Sequence, residues 1–184
     1  MYGMVNKAVE ELLRRNYGDE AWERIRRRAG VDIKVFVGMD AYPDKVTYDL
    51  VAAASSELGV AADSLLEAFG EHWTLYTARQ GYGELLALGG SSFREFLLNL
   101  HDLHTRVALT FPRLEPPSFW CTDVTDCSLR LHYQSTRPAL APMVIGLLRG
   151  LGRMFDTEVA IAHTARREDG AEHDEFDVKF RAPA

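Results

Sequence analysis

"NLHDLHTRVALTFPRLEPPSF", residues 99–119, is where the chain changes character. Up to Phe111 its apolar residues recur every three or four positions, the period of a helix that buries one face. Phe93, Leu97, Leu100, His104, Val107 and Phe111 share that face. Pro112 disfavours helix at the residue before it, and Pro116 and Pro117 lengthen the break. From Phe119 onward the pattern alternates with period two, as strands do. The stretch therefore predicts one helix ending near Phe111, a proline-rich connection, and a second part of different kind. Ser91 or Ser92 is the expected cap of that helix, with Glu95 as the capping-box partner of Ser92.

Working outward, everything upstream reads as helical. Val5, Val9, Leu12 and Leu13 form one stripe, and Trp22, Ile25 and Ala29 a second that stops at Gly30. Tyr48, Val51 and Ala52 belong to a third helix, and Leu65, Leu66, Phe69 and Trp73 to a fourth. A short helix is expected between the glycines of 81–90. Downstream, "FWCTDV" (119–124) and "SLRLHYQS" (128–135) read as strands, and "APMVIGLLRGLGRMF" (141–155) as a helix. "EVAIAHTARRE" (158–168) and "HDEFDVKFR" (173–181) read as strands joined around Asp169-Gly170. The expected class is α+β: a helical N-terminal lobe of about residues 1–111 and a smaller mixed α/β lobe of about 118–184 with an antiparallel sheet. Together they make one domain over 1–184.

Composition bounds the function. With 184 residues, 47% hydrophobic and 26% charged, the chain can bury a core without disulfides, and Cys121 and Cys127 are its only cysteines. The net charge is −6, from 21 basic and 27 acidic residues. "RIRRR" at 24–28 sits beside Glu20 and Glu23 and reads as a solvated helix face, not as a nucleic-acid patch. The start "MYGMVNKAVEELLRR" lacks a signal-peptide core, and no run approaches a membrane span, so a cytoplasmic location without membrane or nucleic-acid partners is expected. There is no P-loop, G-x-S-x-G or H-E-x-x-H, and no enzyme is expected.

Two features carry chemistry. His104 is the one polar residue in the apolar stripe of 93–111. Such a histidine is either a core residue bonded to backbone or an imidazole aimed into a cavity as a metal ligand. His101 is the second choice. In "LHYQSTR" (131–137), read as a strand, Tyr133, Ser135 and Arg137 share a face of three donors. A neutral imidazole facing an apolar pocket suits a haem iron, and an arginine fork with hydroxyls suits the two haem propionates. A phosphate or a structural carboxylate would satisfy the same three donors.

The residues "MYGMVN" at 1–6, the stretch 99–119, "LHYQSTR" and "APMVIGLLRGLG" at 141–152 together resemble the haem nitric-oxide/oxygen-binding (H-NOX) domains. These also form the haem domain of soluble guanylate cyclase, and the likeness covers essentially the whole chain. It is similar above all to stand-alone, cyanobacterial-type members. The resemblance implies haem b clasped between the two lobes. It implies His104 as the proximal iron ligand, and Tyr133, Ser135 and Arg137 on the propionates. In that family, ligand binding strains or breaks the iron–histidine bond, and a partner protein reads the shift.

Members that hold oxygen resemble one another in a distal tyrosine just before the Ile-Gly-Leu segment. Met143 stands at that place here, and no tyrosine follows Tyr133. The expectation is therefore a five-coordinate ferrous haem that binds NO and CO. Trp73 is expected on the distal wall, with Val5, Val9 and Leu147 as apolar neighbours. Some relatives carry a four-ligand zinc cluster near the C-terminus. With Cys121 and Cys127 its only cysteines, and His163 and His173 the histidines nearest the C-terminus, this chain is not expected to share it. The resemblance points to a histidine kinase or a cyclic-di-nucleotide enzyme as effector. A haem carrier or haem-dependent enzyme, and a haem-free binder of an acidic small molecule, are the competing classes.

Overall fold

The computed structural model describes residues 1–77, 83, 86–87, 89–111 and 113–181. Helix α1 (Gly3–Arg28) joins the first two apolar stripes. They meet at Gly18, whose φ of 84° and ψ of 168° kink the helix in a conformation only glycine adopts freely. Trp22 and Ile25 beyond the kink are buried with Val9, Leu12 and Leu13 before it. The basic run at its end is paired: Arg24 and Arg28 both reach Glu57, and Arg26 reaches Glu23.

Helix α2 (Asp44–Leu58) buries Thr47, Leu50, Ala53 and Ala54, a face rotated from the expected one, since Ala52 is exposed. Thr47 donates a 2.6 Å hydrogen bond to the fully buried Asn6 of α1. Helix α3 (Ala62–His72) buries Leu65, Leu66 and Phe69 and then widens into a π-turn, Trp73–Thr77. The short helix expected at 81–90 falls largely outside the described residues.

The helix expected over 93–111 is interrupted. Helix α4 (Phe93–Leu98) and helix α5 (Leu100–Thr110) meet at Asn99, with φ −95° and ψ 2°. The Asn99 side chain donates to the Gly89 carbonyl at 3.0 Å, and such side-chain-to-backbone bonds compete with helix. Ser92 accepts from the Glu95 N–H as predicted, but the Glu95 carboxylate accepts from Ser91, not Ser92.

Beyond the prolines come β1 (Ser118–Thr122), β2 (Ser128–Gln134), α6 (Ala141–Met154), β3 (Glu158–Ala165) and β4 (Asp174–Arg181). The strands form one antiparallel sheet in the order β1-β2-β4-β3, and the class is α+β as expected. Leu129, Leu131 and Tyr133 of β2 face a core shared with Phe176 and Val178 of β4, Val144 and Leu148 of α6, and Phe93 and Phe96 of α4. A second core belongs to α1, α2 and α3.

Helices α3 and α6 link the two cores by close backbone approach. A β-carbon on Gly146 would stand 1.9 Å from the Glu67 carbonyl oxygen, and one on Gly70 would stand 2.1 Å from that of Met143. Ion pairs Arg149–Glu67 and Arg153–Glu71 flank the crossing. Among the described residues, no helix is long and apolar enough to cross a membrane.

Candidate functional site

Between the two cores lies a cavity of about 340 Å³, inside the range of roughly 300–1,000 Å³ usual for small-molecule sites. Its walls are mostly apolar. The helical side brings Val5, Val9, Phe69 and Trp73, and α6 brings Met143, Val144 and Leu147. Helix α5 brings Leu100, Leu103, His104 and Val107, and the sheet brings Phe119, Leu131 and Tyr133, with Arg137 beyond its edge.

The stripe of 93–111 thus serves two purposes, divided at Asn99. Phe93 and Leu97 pack in the sheet core, whereas Leu100, His104, Val107 and Phe111 line the cavity. His101, one turn earlier and to the side of His104, is exposed. His104 Nδ1 lies 2.8 Å from the Leu100 carbonyl oxygen. A carbonyl only accepts, so Nδ1 carries the proton and Nε2 keeps its lone pair. Burial holds the imidazole below its usual pKa, against the opposing pull of that carbonyl, and nearby His101 lowers it further.

The donor face is built differently from the expected strand. Strand β2 stops at Gln134, and Ser135 and Arg137 lie beyond it in a bend. The cause is local: Ser135 Oγ accepts the Arg137 N–H at 3.1 Å, a short turn that ends the ladder before Pro138. Ser135 is therefore absent from the cavity lining, while Tyr133 and Arg137 belong to it. Burial raises the Tyr133 phenol above its ordinary pKa, with a hydrogen bond from Ser135 opposing, so the phenol remains a donor.

Arg137 is held by two partners no local signal announces. Its Nε donates to Asp44 Oδ2 at 2.8 Å and one terminal nitrogen to the Glu115 carbonyl at 2.8 Å. Asp44 also pairs with the Met1 amino group. Sequence reasoning missed Asp44 because the pair joins residues 93 apart. It also missed Phe119, whose ring lies 5.3 Å from both His104 and Tyr133, centroid to centroid. Phe119 is buried on β1, and strand alternation alone does not say against which residues.

Cys121 and Cys127 are free thiols. Burial pushes Cys121 up to about 11, which makes it a poor ligand or nucleophile near neutral pH.

The donor set fits an iron porphyrin: one imidazole with a free Nε2 in an apolar wall, and a phenol and a guanidinium elsewhere on the same cavity. Comparison with known proteins agrees. The family model described as Haem-NO-binding matches residues 2–163. The chain is 28% identical over 162 residues to soluble guanylate cyclase gcy-31 of Caenorhabditis elegans, covering 88% of this chain and 23% of that protein. It is 32% identical over 174 residues to gcy-37 of the same organism, covering 92% and 24%. The chain thus spans about a quarter of the length of these relatives. Its fold matches an H-NOX protein from S. oneidensis in the Fe(II)NO state, with TM-score 0.89 and 19% identity over 98% of this chain and 99% of that one. It also matches the Fe(II) unliganded H-NOX protein from K. algicida, with TM-score 0.87 and 23% identity over 100% and 98%.

Proposed function

Because the chain belongs to the haem-NO-binding family, we propose that residues 1–184 act as one haem-based gas-sensing unit that binds NO and CO and signals to a separate effector. The single observation that carries this reading is the free Nε2 of His104 in an apolar cavity wall, with its ring anchored through Nδ1 to Leu100. Bound there, haem b would supply a five-coordinate ferrous iron able to take a diatomic gas.

The residues divide the work. His104 offers Nε2 to the iron, and the Leu100 carbonyl fixes tautomer and ring direction, as outer partners of histidine ligands do. Tyr133 and Arg137 hold the propionates, with Ser135 beside them setting the turn that presents Arg137. Val5, Val9 and Leu147 exclude water, Trp73 and Met143 close the gas side, and Met143 offers no donor. A pull or release at His104 passes into α5, since its ring is tied to the preceding turn of that helix. The effector of this reading is a histidine kinase or a cyclic-di-nucleotide enzyme. The chain itself is proposed to be a sensor, with the catalytic step on that partner.

The test is His104→Ala. Haem content should fall, and added imidazole should restore it. If His101→Ala gave this rescue phenotype and His104→Ala did not, the assignment of the iron ligand would be wrong.

A further inference from the structure

We propose that His132, His173 and Glu175 form a second metal site, for a divalent ion of the zinc class, on the face of the sheet turned away from the cavity. Leu131 and Tyr133 flank His132 and line the cavity, so strand alternation sends His132 outward. The register places Trp120, His132 and Glu175 in one row across β1, β2 and β4. His173 comes from the turn just ahead of β4. One ligand atom from each of His132, His173 and Glu175 lies within 4.8 Å of the other two.

The distances match a metal's demands. Four ligands held about 2.0–2.1 Å from zinc in a tetrahedron stand roughly 3.3 Å apart. Glu175 Oε1 is 3.6 Å from His132 Nδ1 and 3.4 Å from His173 Nε2. The two nitrogens are 2.8 Å apart, joined by a shared proton. A metal would replace that proton, which passes through solvent to His173 Nδ1 so that the ring stays neutral, and spread the two rings by about 0.5 Å. His173, on a turn, can supply that movement.

The surroundings are those of a built site. His132 Nε2 lies 2.8 Å from Thr122 Oγ1, and an Nε2–H donated there leaves the Nδ1 lone pair for the metal. The ring is stacked on Trp120 at 4.9 Å and 1°, which fixes its plane, and His132 is buried. Charge favours a cation: Asp123, Glu175 and Asp177 surround the single guanidinium of Arg130. Two imidazoles and a carboxylate suit zinc with a water in the fourth position. His173 and Glu175 stand two residues apart, but His132 lies 41 residues before His173 and reaches them only through the sheet register, so no spaced sequence motif announces the site.

Isothermal titration of untagged, haem-loaded full chain with Zn²⁺, after dialysis against chelator, tests the site. One Zn²⁺ should bind per chain without moving the Soret band. His173→Ala should weaken binding at least tenfold, and Thr122→Val about tenfold through loss of the orienting hydroxyl. His101→Ala and Cys127→Ser should leave it unchanged. Absence of saturable one-to-one binding, or undiminished binding by His173→Ala, would overturn the proposal.

Discussion

The guanidinium of Arg137 and the carboxylate of Asp44 meet at 2.8 Å across 93 residues, joining the first turn of α2 to the bend that follows β2. The same guanidinium bonds the Glu115 carbonyl ahead of β1. One side chain on the cavity wall therefore ties three segments together before any ligand is considered.

In the proposed function Arg137 also grips a propionate, a charge-assisted bond worth about 1.5–3 kcal/mol. Arg137→Ala should then lower haem affinity by about one to two orders of magnitude. Arg137→Lys should recover only part, because an ammonium cannot fork. Haem-loss rates measured with an apo-globin acceptor check this. If Asp44→Asn lost haem as fast as Arg137→Ala, the role of Arg137 would be structural and the propionate grip would fall.

Asp44 also sets an acid response. Burial alone would raise its pKa, but the hydrogen bonds from the Met1 amino group and Arg137 outweigh burial and hold it below the usual carboxylate range. A depressed folded-state pKa adds stability above the unfolded value, and that stability is lost as pH falls through the folded value. Thermal midpoints recorded from about pH 5 to pH 3 should therefore fall more steeply for wild type than for Asp44→Asn. Parallel curves would show that the ion pair contributes nothing.

The α3–α6 crossing admits no side chain at Gly146. Gly146→Ala should destabilise by about 1–3 kcal/mol or more, as overpacking of a close contact does. Gly38→Ala, where a β-carbon would meet nothing within 4 Å, is the control and should be near neutral. Urea unfolding of both variants separates the outcomes, and equal midpoints would contradict the close approach.

Met143 lines the cavity and cannot donate a hydrogen bond. The reduced wild-type protein should form no lasting oxygen complex in air, and Met143→Tyr should lengthen oxygen retention through a bond worth on the order of 1 kcal/mol. The visible spectrum on mixing with air decides it. A persistent oxy spectrum in wild type would refute NO selectivity and make Trp73 the suspected donor.

What could be read in advance follows from the range of each interaction. The switch at Pro112–Pro117, the Ser92 cap and the hairpin at Gly170 are set by neighbours a few residues apart. His104 was legible because one polar residue interrupts an apolar period. The break at Asn99 was not, since it involves the Gly89 carbonyl, ten residues away. The Arg137–Asp44 pair and the His132–His173–Glu175 cluster depend on docking and on strand register, which periodicity does not specify.

The interruption at Asn99 gives α5 the mechanics of a lever. Helix α4 is pinned on the near side by Phe93, Phe96 and Leu97 in the sheet core, so Asn99 is the fulcrum. At 1.5 Å per residue, His104 rides about 6 Å from the start of α5 and Thr110 about 15 Å. Any swing of α5 that starts at His104 is therefore magnified about two and a half times at its far end. That far end is where the chain enters the prolines leading to β1.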